Sequence, residues 1–430
     1  MIFFIMLALL ILIEGLLISA SLIKFKDNYL KDFYGKYNVE APKDIYYYVL
    51  ISVFNESSII KETYEHFQKI LCKYDNAECF FITTEKENAI FGKNRTKEIL
   101  EGCISDDNFH IIHYPHVAGN KPSQLNYCLD LIKERIDNSE KSVYIVQYDA
   151  DSRPDMNTFD DITDIINRTG ARVVQQQTKY NQNYRQLGLY MRMEACFQSR
   201  WAYGFERRNQ FFSINNMLNN FFMPYAYCVG HGMVVESHLL YDVGKYPTPS
   251  EDVPFGFKMM LINESIYPAI TSDTGSVTTR FSDLINQSGN WIKAPLLAVK
   301  MYREVKEIKD VSIFRAGLFF IKTLFDFFSW IQGLILLIIS VIISIGNMSI
   351  IPVVITYLIF FIESAPGIFY THKYIFKERN VPERIGMALL SPLRSVVRGL
   401  AILSLLKQKL FGWYYDTGRK EGKDKGWKNL

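Results

Sequence analysis

Three long apolar runs separated by a polar middle constrain this chain more than any other feature. Ile2 to Ile23 carries one charge, Glu14, and is long enough to cross a bilayer as a helix. Phe327 to Ile345 and Ile350 to Phe369 repeat the pattern, joined by the uncharged Gly346-Asn347-Met348-Ser349. The mean hydropathy of the 430 residues is close to zero only because the stretch between these runs has ordinary globular composition. Such a chain needs lipid for its apolar runs and a separate packed core for its middle.

Charge placement orients the runs. Lys24, Lys26, Lys31 and Lys36 follow the first; Lys373, Lys377, Arg379 and Arg384 follow the third. The preference of basic residues for the cytoplasmic side predicts three spans (1–23, 327–345 and 350–371) in the plasma membrane, an N-terminus outside and a cytoplasmic middle. No basic residue precedes the first run, so an uncleaved anchor is expected over a signal peptide, despite Ser19-Ala20-Ser21. Two segments read as helices lying on the membrane surface. One is 310–328, where Arg315, Lys322 and Asp326 share a face opposite Phe319, Phe320 and Leu324. The other is 385–430, ending in a basic tail, where Ser391, Arg394, Ser395 and Arg398 form a polar stripe. Glu14 and Glu363 sit inside the expected spans, where acids are costly, and are expected to line one polar feature.

The middle, 45–300, alternates short β-rich runs with helical ones. Tyr46–Val53, Cys79–Thr83, His110–His113, Val143–Tyr148 and Arg172–Gln176 read as strands; Ser57–Cys72, Ser123–Glu134 and Asn157–Asn167 read as helices. This predicts an α/β domain with a mostly parallel sheet covered on both faces, whose ligands bind off the carboxyl ends of the strands. Asp149-Ala150-Asp151 stands there: paired carboxylates after an apolar strand make a hard-oxygen site for Mg²⁺ or Mn²⁺ that a diphosphate can complete. A net charge of +3 gives no reason to expect nucleic acid. The six cysteines include no C-x-x-C pair and read as reduced thiols.

The order of motifs resembles family 2 of the glycosyltransferases, with the Rossmann-like GT-A fold. The resemblance rests on Phe54-Asn55-Glu56, Asn120-Lys121-Pro122-Ser123-Gln124-Leu125-Asn126, Asp149-Ala150-Asp151, Glu251-Asp252 and Gln287-Ser288-Gly289-Asn290-Trp291. It implies an inverting hexosyltransferase that uses a nucleotide sugar, a UDP-sugar above all. By the same resemblance, Asn55, Glu56 and Glu85 line the nucleoside pocket and Lys121 reaches the donor phosphates. Asp149 contacts nucleotide and metal, and Asp151 ligates the metal. Asp252, beside Glu251, is the general base for the acceptor hydroxyl. Gly230, His231, Gln287 and Trp291 are the implied acceptor-side residues, Trp291 by stacking on a sugar.

Asn290 stands where the family pattern has arginine, which weighs against processive polymerisation unless Arg280 or Lys293 substitutes. Phe411-Gly412-Trp413-Tyr414-Tyr415-Asp416-Thr417 faintly resembles a C-terminal signature of membrane members. The acceptor stays open between a polysaccharide or other cell-envelope glycan, favoured by the aromatic segment Trp201–Tyr227, and a polyprenyl or other lipid-linked one; membrane lipids are expected partners. A non-catalytic glycan-binding scaffold is the competing class. A two-metal phosphohydrolase is disfavoured, because His110, His113 and His116 read as structural.

Overall fold

The structure is a computed structural model that describes residues 2–39 and 42–411. The Phe411–Thr417 motif therefore lies, beyond Phe411 itself, outside the described residues. Seven strands form one sheet in the order β3-β2-β1-β4-β6-β5-β7. They are β1 Ile45–Ser52, β2 Ala77–Thr84, β3 Phe109–Tyr114, β4 Ser142–Tyr148, β5 Val173–Lys179, β6 Met233–Glu236 and β7 Tyr267–Thr274. All neighbours pair in parallel except β6, which runs antiparallel to both β4 and β5. The chain is an α/β protein with a mostly parallel sheet, as its strand–helix alternation predicts.

Strand β1 shows why its sequence is apolar without alternation. Tyr47, Val49 and Ile51 pack with Ile60, Phe67, Ile70, Phe159 and Ile162 on one face. Tyr48 and Leu50 pack with Leu125, Cys128, Leu129 and Ile132 on the other. Both faces of a parallel strand are covered by helices, so neither face can be polar. The helices doing this are Ile60–Leu71 and Thr158–Thr169 on the first face, and Lys121–Asp137 on the second.

Four helices are long and apolar enough to cross a membrane: Ile2–Lys24, Ile313–Gly346, Ile351–Ile375 and Val381–Leu406. Two boundaries differ from those expected. The surface helix 310–328 and the span 327–345 are one continuous helix of 34 residues, Ile313–Gly346. That exceeds the roughly 20 residues a bilayer requires; its first half packs on the sheet domain through the fully buried Phe319. The C-terminal segment, broken at Ser391–Leu393, turns its polar stripe inward: Ser391, Arg394, Ser395 and Arg398 all line a small cavity of about 60 Å³ inside the helix bundle. An amphipathic repeat defines a polar face, and here the interior claims it.

Glu14 and Glu363 line that same cavity. Arg200, fully buried, donates through Nη2 to the Gly15 carbonyl at 2.9 Å and the Glu363 carbonyl at 3.0 Å, and pairs with the Glu363 carboxylate at 3.3 Å. Gln332 donates to Glu14 at 2.9 Å. Small residues permit these crossings: a Cβ on Gly15 would lie 2.7 Å from Glu363, and one on Gly333 would lie 2.7 Å from Ser395.

Candidate active site

The sheet ends in a cavity of about 410 Å³. Residues from four of the sequence motifs meet there: Lys121, Asp149 with Asp151, Glu251 with Asp252, and Gln287 with Asn290 and Trp291. Backbone geometry explains how each arrives. Asp149 and Asp151 follow β4 directly. Lys121 opens the Lys121–Asp137 helix under a capping box made by Asn120 and Ser123. Asp252 is the N-cap of the Val253–Ile262 helix.

Lys121 ties the motifs together. Its Nζ donates to Asp149 Oδ1 at 2.5 Å and to the Gly230 carbonyl at 2.6 Å, and lies 2.7 Å from Glu251 Oε1. Burial opposes the charge on Lys121, but Asp149 and Glu251 outweigh it and hold the ammonium above its ordinary value. Burial pushes the Glu251 carboxyl up, against the pull of Lys121 and with help from the charge of Asp252. Gln147 also donates to Glu251, at 3.1 Å. Gly230 is required by this crowding: a Cβ there would lie 2.8 Å from Glu251 Oε1 and 3.1 Å from Lys121 Nζ.

Asp252 accepts from the Ser250 hydroxyl at 2.6 Å and from its helix's first N–H, Val253, at 2.7 Å, both on Oδ1. Its Oδ2 lies on the Gly230 side of the cavity. Asp151 Oδ2 accepts from the Ser276 N–H at 3.3 Å. Asp149 and Asp151 offer only hard oxygen ligands, and among the described residues no group of three or more His, Cys, Asp or Glu side chains is arranged to hold an ion alone.

Other expected residues fall elsewhere. Asn55, Glu56 and Glu85 stand after β1 and β2 as read, but do not line this cavity. Asn55, at φ 57°, donates its N–H to Glu87, and Glu85 is held by Asn88 and His113. His110 is paired with Glu78 at 2.7 Å and His113 with Glu85 at 3.1 Å. Neither Arg280 nor Lys293 lines the cavity; Lys293 bonds Asn290 at 3.2 Å.

His231 lies on the wall, 3.0 Å from Asp273 and 2.9 Å from Thr178. Burial opposes its charge, yet the hydrogen bond and charge of Asp273 hold it above its ordinary value. Asp273 was missed in the sequence because β7, at whose end it sits, was not recognised; it also accepts from Ser152 at 2.9 Å. Glu206 was missed too. It lines the cavity within a π-helical turn, Trp201–Glu206, and burial lifts it to about 7 despite a 3.0 Å bond from Tyr227. Trp330, Arg394 and Arg398 complete the wall from the membrane helices.

No protein-family profile matches the chain, and no curated protein matches it. Among solved structures, the chain is similar to the mannosyltransferase PcManGT from Pyrobaculum calidifontis, in complex with GDP-Man and Mn2+. The TM-score is 0.46 and the identity 12%, over 94% of this chain and 98% of that one. It is also similar to residues 1–349 of S. aureus TarS, at TM-score 0.42 and 15% identity, over 86% of this chain and 93% of that one. The same TarS fragment in complex with UDP-GlcNAc gives TM-score 0.38 and 16% identity.

Proposed function

We propose that the chain is a membrane-bound, inverting glycosyltransferase. It moves a sugar from a nucleotide donor, a UDP-sugar above all, to a polysaccharide or other glycan acceptor at the cytoplasmic membrane face. The observation that carries this reading is the Lys121 ammonium bonded to Asp149 and to Glu251, next to Asp252. Phosphate-neutralising and base-bearing motifs far apart in sequence thereby share one cavity.

Asp149 and Asp151 would hold a Mg²⁺ or Mn²⁺ through hard carboxylate oxygens, a set of two that a donor diphosphate would complete. When bound, such an ion would supply charge neutralisation to the departing nucleoside diphosphate. The rest falls to the chain's own side chains. Lys121 adds positive charge beside the diphosphate. Asp252 Oδ2 takes the proton of the acceptor hydroxyl, which is too poor a nucleophile without a base. Oδ1, fixed by Ser250 and Val253, holds that carboxylate in place. A single in-line displacement inverts the anomeric carbon. Trp291 and Gln287 are the acceptor-side contacts, and the nucleoside is assigned to the end nearer Asn55, Glu56 and Glu85.

Titration of UDP and GDP into the purified full chain tests the donor half of the reading. Binding that needs Mg²⁺ or Mn²⁺ and weakens at least ~10-fold in D151N is expected. Metal-independent binding, unchanged in D149N and D151N, refutes the metal assignment. A scaffold without catalysis would bind the donor but never turn it over.

A further inference from the structure

The cavity does not end at the sheet domain. Its far wall is made by Ser329 and Trp330 of the Ile313–Gly346 helix and by Arg394 and Arg398 of the last helix. These four, with Trp201, also line the small cavity inside the bundle. Arg394 and Arg398 stand one helical turn apart and share a face. Arg394 is paired with Glu194 at 3.0 Å. Arg398 has no carboxylate at ion-pair distance among the described residues. Its Nη1 reaches the Ser329 carbonyl at 3.4 Å, its guanidinium lies 4.9 Å from the Trp330 ring centroid, and its Nε is buried without a partner.

A buried guanidinium with no carboxylate in direct contact is costly even with Glu14, Glu194 and Glu363 at longer range, and an anion bound against it offsets that cost. The guanidinium fork matches phosphate oxygens in particular. Between this end and Asp252 the wall carries Gln198, whose amide oxygen and nitrogen are both buried without partners, and the rings of Trp201 and Trp291. Trp291 and Trp330 have ring centroids 6.4 Å apart. An unsatisfied amide and aromatic faces suit a sugar ring.

We propose that the acceptor is a saccharide bearing a phosphate or diphosphate ester, with its hydroxyl at Asp252 and its phosphate on Arg398 and Arg394. This rests on the sugar-transfer reading above. The ester takes no part in bond-making: the hydroxyl oxygen bonds the donor's anomeric carbon, its proton passes to Asp252, and the nucleoside diphosphate leaves. The space beyond favours an acceptor that ends in such a group. It holds only about 60 Å³ and is crossed by Arg200, bonded to Gly15 and Glu363, leaving no passage for a polymer.

The test uses the full chain in detergent and three probes: decyl diphosphate-linked glucose, decyl glucoside, and glucose 1-phosphate. The diphosphate-linked probe is expected to bind at least ~10-fold tighter than the neutral glycoside. R398Q should abolish that preference and R398K restore part of it. Circular dichroism and gel filtration identify a variant that has merely unfolded, in which case R398K against the parent carries the comparison. Glucose 1-phosphate binding as tightly as the lipid probe assigns the phosphate to a water-soluble glycan; weaker binding assigns it to a lipid carrier, and both uphold the phosphate site. Equal binding of charged and neutral probes, no binding of either, or an equal loss for both in R398Q overturns it. If a donor is turned over but the parent shows no preference for the diphosphate-linked probe, or R398Q keeps that preference, only the acceptor assignment falls. If no nucleotide sugar is bound or turned over, the sugar-transfer reading itself fails.

Discussion

Replacing Lys121 by Met removes one cation from between two carboxylates, and the structure sets the size of the consequence. Glu251 is 6% exposed and keeps one neutral donor, Gln147, at 3.1 Å. Leaving a buried carboxylate without its cation costs about 3–5 kcal/mol. Glu251 has an escape, which is to take up a proton. Doing so at pH 7 from the ordinary value of 4.5 costs roughly 3 kcal/mol, at 1.36 kcal/mol per pH unit. Protonation therefore caps the loss at roughly 3 kcal/mol at pH 7 and under about 1 kcal/mol at pH 5. The Asp149 pair adds no more than about 1 kcal/mol, because that side chain is 40% exposed. The sign follows from the raised carboxyl. A protonated Glu251 stabilises the folded chain below its ordinary value, and that stability is lost as pH rises through the raised one. K121M should therefore be nearly as stable as the parent at pH 5 and clearly less stable at pH 7. E251Q should restore most of the loss, giving a coupling of about 1–3 kcal/mol. Unfolding of the four proteins in detergent, followed by intrinsic fluorescence at both pH values, measures this. A K121M deficit independent of pH, or one simply additive with E251Q, would refute the electrostatic account of the cluster.

Glu206, lifted to about 7 by burial, should make the folded chain lose up to roughly 3 kcal/mol as pH rises from about 4.5 to 7; E206Q should flatten that part of a stability-against-pH curve. G230A places a methyl against Glu251 and Lys121, and is expected to lower kcat/KM about 100-fold and to cost about 1–3 kcal/mol in thermal stability. G15A drives a methyl into Glu363 at the crossing of the Ile2–Lys24 and Ile351–Tyr370 helices. It should cost about 1–3 kcal/mol in thermal stability, whereas G346A, where no atom lies within 4 Å, should cost almost nothing.

Much of the sheet could be read from sequence because β1, β2 and β4 carry long apolar runs and β3 and β5 carry shorter ones, Ile111-Ile112 and Val173-Val174. Strand β6 could not, being four residues between a glycine loop and a helix. Strand β7 hides behind Pro268 and the polar Thr271-Ser272-Asp273-Thr274, of which Ser272 and Asp273 are buried with hydrogen bonds to Asp155 and Ser152. That loss concealed Asp273 and with it the partner of His231. Of the motif residues at strand ends, Asp149 and Asp151 reach the cavity, because a parallel sheet delivers its loops to one edge. Asn55, Glu56 and Glu85 reach that edge on the β1 and β2 side, away from the cavity. The stripe of Ser391, Arg394, Ser395 and Arg398 was visible as a face, but periodicity carries no information about whether lipid headgroups or protein meets it.

Turnover of labelled nucleotide sugars by the purified full chain probes the central claim most directly. At least one UDP- or GDP-linked sugar should be consumed in the presence of Mg²⁺ or Mn²⁺ and not with a chelator. D252N should slow that reaction by roughly 10²–10⁴-fold while still binding the nucleotide. Turnover that survives D252N undiminished, or a chain that binds nucleotide sugars yet consumes none, would contradict the assignment of Asp252 and the transfer reaction built on it.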